Sequence, residues 1–93
     1  MARRERPGKH ARAIMSDVRW STLSLSARSV WLGLADVGDV VLAVRAPGRD
    51  GLTVEDYARY LAADVVTVRG AIDELVQRDV MAPVGTGFRL TSY

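Results

Sequence analysis

Ala27, Val30, Trp31 and Leu34 fall at i, i+3, i+4 and i+7, the spacing that places apolar side chains on one face of a helix. Ser24 or Ser26 can cap its start, and the helix is expected to end near Gly38. Trp20, Leu23 and Leu25 are expected to fold onto its beginning. A second helix is predicted after Thr53, with Asp56 three residues on in a capping-box relation and Val54, Tyr57, Ala58 and Leu61 as its buried stripe. Asp64 then caps a third helix, with Thr67 as its reciprocal residue. Val68, Ala71, Ile72, Leu75 and Val76 repeat there with a 3.6-residue period.

Two other stretches follow a different pattern. Val80-Met81-Ala82 and Phe88-Arg89-Leu90 flank Pro83-Val84-Gly85-Thr86-Gly87, which predicts a β-hairpin closing the domain. Val40 to Val44 has the composition of a strand, but five residues are too few for periodicity to separate a strand from an extension of the first helix. Ala46 to Gly51 reads as a turn-rich loop, and Leu52 as the start of a short strand.

With 93 residues the chain has room for one small domain. Its charge is unevenly spread. Residues 1–20 hold six basic and two acidic side chains, while residues 21–93 hold seven arginines and nine acids. Residues 1–16, rich in charge and carrying Pro7 and Gly8, read as a flexible basic arm, and residues 17–93 as the folded domain. A basic arm is drawn to anionic polymers, most often DNA or RNA; the competing reading is a solvated leader that keeps the chain soluble. With no cysteine and only His10 in the arm, disulfides, thiolate metal sites and structural zinc are excluded, and no cofactor is expected. No apolar run approaches the roughly 20 residues that span a bilayer, and the charged N-terminus lacks the apolar stretch of a secretory leader. The expected compartment is the cytoplasm.

The segment from Tyr57 to Met81 resembles a prokaryotic helix-turn-helix, and the residues after Met81 resemble a wing. Tyr57-Ala58 stands where the family has its Leu-Ala, Asp64 where a Ser caps the recognition helix, Thr67-Val68-Arg69 at the common Thr-Val-Arg, and Asp79-Val80-Met81 at the Gly-Leu-Val leading into the wing. Ala58, Ala62 and Ala63 are the small residues a tight helix junction needs. Ala62 departs from the pattern, since a Gly usually stands there. Trp20 to Leu34, with its Leu25-Ser26-Ala27-Arg28 entry, looks like the opening of winged-helix domains in phage and plasmid replication proteins. The resemblance implies an α+β, mainly α fold: a three-helix winged helix-turn-helix with a short C-terminal β-hairpin wing and a basic N-terminal arm. It also implies a non-enzymatic protein that binds double-stranded DNA and serves transcription, replication or DNA organisation in a phage or prokaryote.

In that family the third helix enters the major groove. The DNA-binding candidates are therefore Arg3, Arg4, Arg6, Lys9 and Arg12 of the arm, Val65, Val66, Thr67 and Arg69 of the third helix, and Thr86 and Arg89 of the hairpin. Several have a plain alternative. Arg69 can pair with Asp73 four residues on, Thr67 can serve only the cap, and Thr86 and Arg89 can be simple surface. Val65 and Val66 can meet thymine methyls, but adjacent valines more often pack against protein. With Asp64 and Asp73 of the wrong sign for phosphate, a second reading stands beside the first: a winged-helix module or inhibitor that binds another protein through Val65, Val66, Tyr60 and the acidic face of the third helix. A homodimer is compatible with either. An enzyme is not expected, because no nucleophile, acid and base converge in the pattern, and neither a membrane nor a small-molecule ligand is an expected partner.

Overall fold

A computed structural model describes residues 8–93. The chain is α+β and mainly helical, with four α-helices and one antiparallel two-stranded hairpin among the described residues: α1 Ala11–Met15, α2 Leu25–Gly38, α3 Val54–Leu61, α4 Val65–Gln77, β1 Met81–Val84 and β2 Gly87–Leu90. The three helices expected from periodicity are α2, α3 and α4.

Each begins where a short polar side chain replaces a missing helical acceptor. The Ala27 amide donates to Ser24 Oγ at 3.2 Å, capping α2. At α3 both halves of the capping box are made: the Asp56 amide donates to Thr53 Oγ1 at 3.1 Å and the Thr53 amide to Asp56 Oδ2 at 3.0 Å. The Thr67 amide donates to Asp64 Oδ2 at 3.0 Å at the head of α4. The Thr67 hydroxyl turns to the same carboxylate oxygen at 3.3 Å, so the reciprocal half of a box is not formed there.

The junction between α3 and α4 is closed by a left-handed residue. Ala62 sits at φ 53°, its amide donates to the Arg59 carbonyl and the Ala63 amide to the Ala58 carbonyl, which is the paired hydrogen bonding of a Schellman stop. Asp79, at φ 62°, ends α4 in the same way, with the Val80 amide on the Leu75 carbonyl at 2.9 Å. One core collects the inner faces. Trp31 and Leu34 of α2, Tyr57 of α3, Ile72 and Leu75 of α4, and Met81 and Leu90 of the hairpin are fully or almost fully buried together.

β1 and β2 pair from Met81 with Leu90 to Val84 with Gly87. Only Gly85 and Thr86 lie between them, and Gly85 at φ 58° followed by a residue at negative φ is the type II′ pattern that suits a two-residue hairpin. Leu52 bridges Phe88 on the far side of β2, with amide-to-carbonyl distances of 3.0 and 2.9 Å, so β2 lies between β1 and Leu52. Because Phe88 spends its amide and carbonyl on Leu52, its opposite number Pro83 faces the outer edge of β1, where a ring nitrogen without a hydrogen loses no ladder bond. Gly51 and Gly87 allow this crossing: a Cβ on either would overlap the backbone of the other segment. The Tyr57 hydroxyl donates to the Phe88 carbonyl at 2.6 Å and ties α3 to the same strand.

Three expectations are corrected. Val40 to Val44 is neither a strand nor a continuation of α2: Leu42–Val44 is a single 3₁₀ turn that buries Val44 and leaves Val40 and Leu42 at 85% and 72% exposure. The backbone bonds close locally, the Val44 amide on the Val41 carbonyl at 3.1 Å and the Arg45 amide on the Leu42 carbonyl at 3.0 Å, which is the i to i+3 pattern of a turn rather than a ladder. Second, a flexible arm reaching to residue 16 is too long. Residues 11–15 form α1, Ile14 is fully buried in the core, and the Gly8 amide donates to Asp36 Oδ1 at 2.6 Å. Third, Trp20, Leu61 and Val76 are half-buried at the margin of the core, and Leu25 is exposed.

Candidate nucleic-acid interface

Helical rotation of about 100° per residue decides what α4 offers to a partner. Val68, Ala71, Ile72 and Leu75 point inward, so the opposite ridge consists of Val66, Gly70, Asp73 and Gln77, all exposed. Val66 is 77% exposed, and beyond its own stretch of helix Gly70 has no atom within 4 Å of the place a Cβ would occupy. Val65 and Arg69 lie on the flank towards α3. Val65 is 36% exposed, and the Arg69 guanidinium stands 3.8 Å from Glu55 of α3 rather than pairing with Asp73. Thr67 is exposed on the other flank and held by Asp64. The two valines, which the sequence treats alike, are thus divided between ridge and flank.

The remaining candidates lie elsewhere. Thr86 is exposed at the hairpin turn. Arg89 turns away from α4: one guanidinium nitrogen donates to the Arg45 carbonyl at 2.9 Å, and the side chain lines a cleft of about 520 Å³ with His10, Asp39 and Arg45. Lys9 enters the same neighbourhood, 3.8 Å from Asp39. Arg12 is exposed on α1. Arg3, Arg4 and Arg6 fall outside the described residues. The named candidates therefore form no single surface: those of α4 make one face, while Lys9 and Arg89 meet at another around Asp39.

The carboxylates are mostly committed to the fold. The Ser24 hydroxyl and amide hold Glu74 below the usual carboxylate range, and the Thr53 amide and Arg59 do the same for Asp56. Asp39 is lowered by its hydrogen bond from His10, at 3.0 Å, with Lys9 and Arg45 adding to it. Asp17 is driven far down by the Arg19 guanidinium, which grips both its oxygens at 2.8 Å and lies over the Trp31 ring. On the ridge, Asp73 alone is acidic.

Two further residues belong to these surfaces without having stood out in the sequence. Gln77 lies on the ridge eleven positions after Val66, close to three helical turns, and the period of the helix was a sufficient signal for it. Arg49 is exposed in the loop whose backbone abuts Gly85 at the hairpin turn, a proximity that no local pattern announces.

No family of known proteins matches the chain, and neither curated proteins nor solved structures include a significant match to it. Among the described residues no helix is long and apolar enough to cross a membrane.

Proposed function

We propose that the chain is a winged-helix protein that binds double-stranded DNA and acts by binding alone, in transcription or replication control or in DNA organisation of a prokaryotic or phage kind. α3 and α4 are its helix-turn-helix, α4 the helix that enters the major groove, and the hairpin with Leu52 its small sheet and wing. The observation that carries this reading is the ridge Val66–Gly70–Asp73–Gln77: α4 is anchored along its inner face by the core while every residue of its outer ridge is exposed. The basic residues of the leader supply attraction to phosphate, and Arg49 and Thr86 at the hairpin turn stand where a wing meets the backbone. The protein works in the cytoplasm, without a cofactor, and its affinity comes more from phosphate contacts than from base readout.

Fluorescence anisotropy with mixed-sequence duplexes across a salt series tests the reading. The expected result is binding whose logarithm falls linearly with the logarithm of salt, with a shallower slope after Arg3, Arg4 and Arg6 are replaced by Gln. Val66→Asp, at an exposed site, is expected to weaken binding without lowering the melting temperature. Absence of binding at low salt overturns the proposal.

A second reading, a module that docks on another protein through the same ridge, is favoured by one observation: the flank towards α3 adds Tyr60, 40% exposed, and Arg69 with Glu55 3.8 Å away. Loss of DNA binding at low salt would turn attention to it.

A further inference from the structure

Gly70 occupies the middle of a thirteen-residue helix, is exposed, and has open space where its side chain would be. Glycine in a helix interior is unfavourable relative to alanine, and nothing within the described fold requires it there. The need for a missing side chain therefore lies outside the chain, in something that approaches the helix closely.

The neighbours of that notch indicate its chemistry. One turn earlier, Val66 projects two methyl groups from the ridge, and Thr67 adds another on the flank. Between Val65 and Gly70 the only strong donor is Arg69, which lies on the flank with Glu55 3.8 Å away rather than on the ridge. This half of the helix has methyl groups and an absent side chain to offer a groove, and few hydrogen-bond donors. The feature of a base pair that such a surface recognises is the C5-methyl of thymine in the major groove. Gln77 on the same ridge has the donor–acceptor pair that matches adenine. Arg3, Arg4, Arg6 and Arg12 of the basic leader, set against the single Asp73 on the ridge, supply the charge that brings the ridge to DNA rather than to an apolar partner.

We infer, resting on the DNA-binding reading above, that α4 selects thymine-bearing sites: Gly70 lets the helix settle low in the major groove, and Val66 packs on a thymine methyl. Val66 is the specificity-determining side chain and Gly70 the residue that grants it reach.

The test is binding of the full chain to a random duplex pool enriched on the protein, prepared once with thymidine and once with deoxyuridine, which lacks only the methyl group. Deoxyuridine is expected to weaken binding about fourfold per contacted methyl, the effect of returning one methyl group to water. Val66→Ala should remove most of that difference while leaving the salt dependence in place. Gly70→Ala should raise the melting temperature and yet weaken binding, opposite signs that a purely structural role would not produce. Equal, salt-dependent affinity for the two duplexes overturns this inference and leaves the DNA-binding reading standing. A preference for thymine that Val66→Ala leaves unchanged overturns it too. No binding to either duplex overturns both.

Discussion

Ser24 and Glu74, fifty residues apart, form a cap shared between two helices: the Ser24 amide donates to Glu74 Oε1 at 2.9 Å and its hydroxyl to Oε2 at 2.5 Å. The same hydroxyl accepts from the Ala27 amide, so the carboxylate of α4 fixes the side chain that starts α2. Ser24→Ala is expected to lower stability by about 1–2 kcal/mol, the range for loss of an N-cap. A double-mutant cycle with Glu74→Ala should return a coupling of about 1 kcal/mol in urea unfolding. Additive effects would mean that the two groups act independently.

Ile14 is the test of where the leader ends. Ile14→Ala should destabilise the chain by about 2–4 kcal/mol, as for a filled core site. A change within the error of a urea melt would return residues 11–15 to the flexible arm.

Ala62 holds a left-handed conformation that a side chain disfavours, and Gly adopts it without strain. Ala62→Gly is therefore expected to stabilise the chain by about 0.5–1 kcal/mol despite the added freedom of the unfolded state. Ala62→Val is expected to destabilise it. Thermal melts of the two variants should move in opposite directions.

Acid should loosen the fold. Asp17, Asp39, Asp56 and Glu74 are all lowered from their ordinary values, by Arg19, His10, the Thr53 amide and the Ser24 hydroxyl respectively. A carboxylate whose folded value lies below its unfolded one adds its full stability above about pH 5, and that contribution drains away as pH falls. The melting temperature is expected to be level above about pH 5 with respect to these groups and to drop on acidification. Asp17→Asn should flatten the drop most, and an unaltered acid profile in that variant would remove the Arg19 pair from the account.

Burial hides the Tyr57 hydroxyl from solvent and raises its pKa, and its bond to the Phe88 carbonyl joins α3 to the hairpin. Tyr57→Phe is expected to lower stability by about 1 kcal/mol. Amide exchange at Leu52 and Phe88 should quicken, since both amides belong to the bridge beside that carbonyl. Unchanged exchange would show that the hairpin stays seated without the hydroxyl.

The helices and their caps were legible because their causes are local. Thr53 with Asp56, and Asp64 with Thr67, are three residues apart, and a stripe such as Val68, Ala71, Ile72 and Leu75 needs only the helical period. Val40 to Val44 was not legible, because the choice between strand and turn rests on what Val44 packs against. The docking of Ile14 was obscured by the charge around it. Spacing along α4 points Arg69 at Asp73, whereas Glu55 reaches it across the junction between two helices. The place of Arg89 on the hairpin is plain in the chain, but the direction its side chain takes is fixed by Arg45, far away in sequence. The ridge of α4 was half legible: Val66 stood out by composition, and Gly70 gained meaning only when the space around it was found open.

Pro83 limits how copies of this chain can meet. Of the two edges of the small sheet, one is covered by Leu52 and the other carries a proline where a neighbouring strand would seek a hydrogen-bond donor. Growth of the sheet by strand addition is blocked at its centre, which guards a small, partly apolar molecule against edge-to-edge aggregation at high concentration. Copies that meet at this end of the molecule must do so through side-chain faces rather than by extending the hairpin.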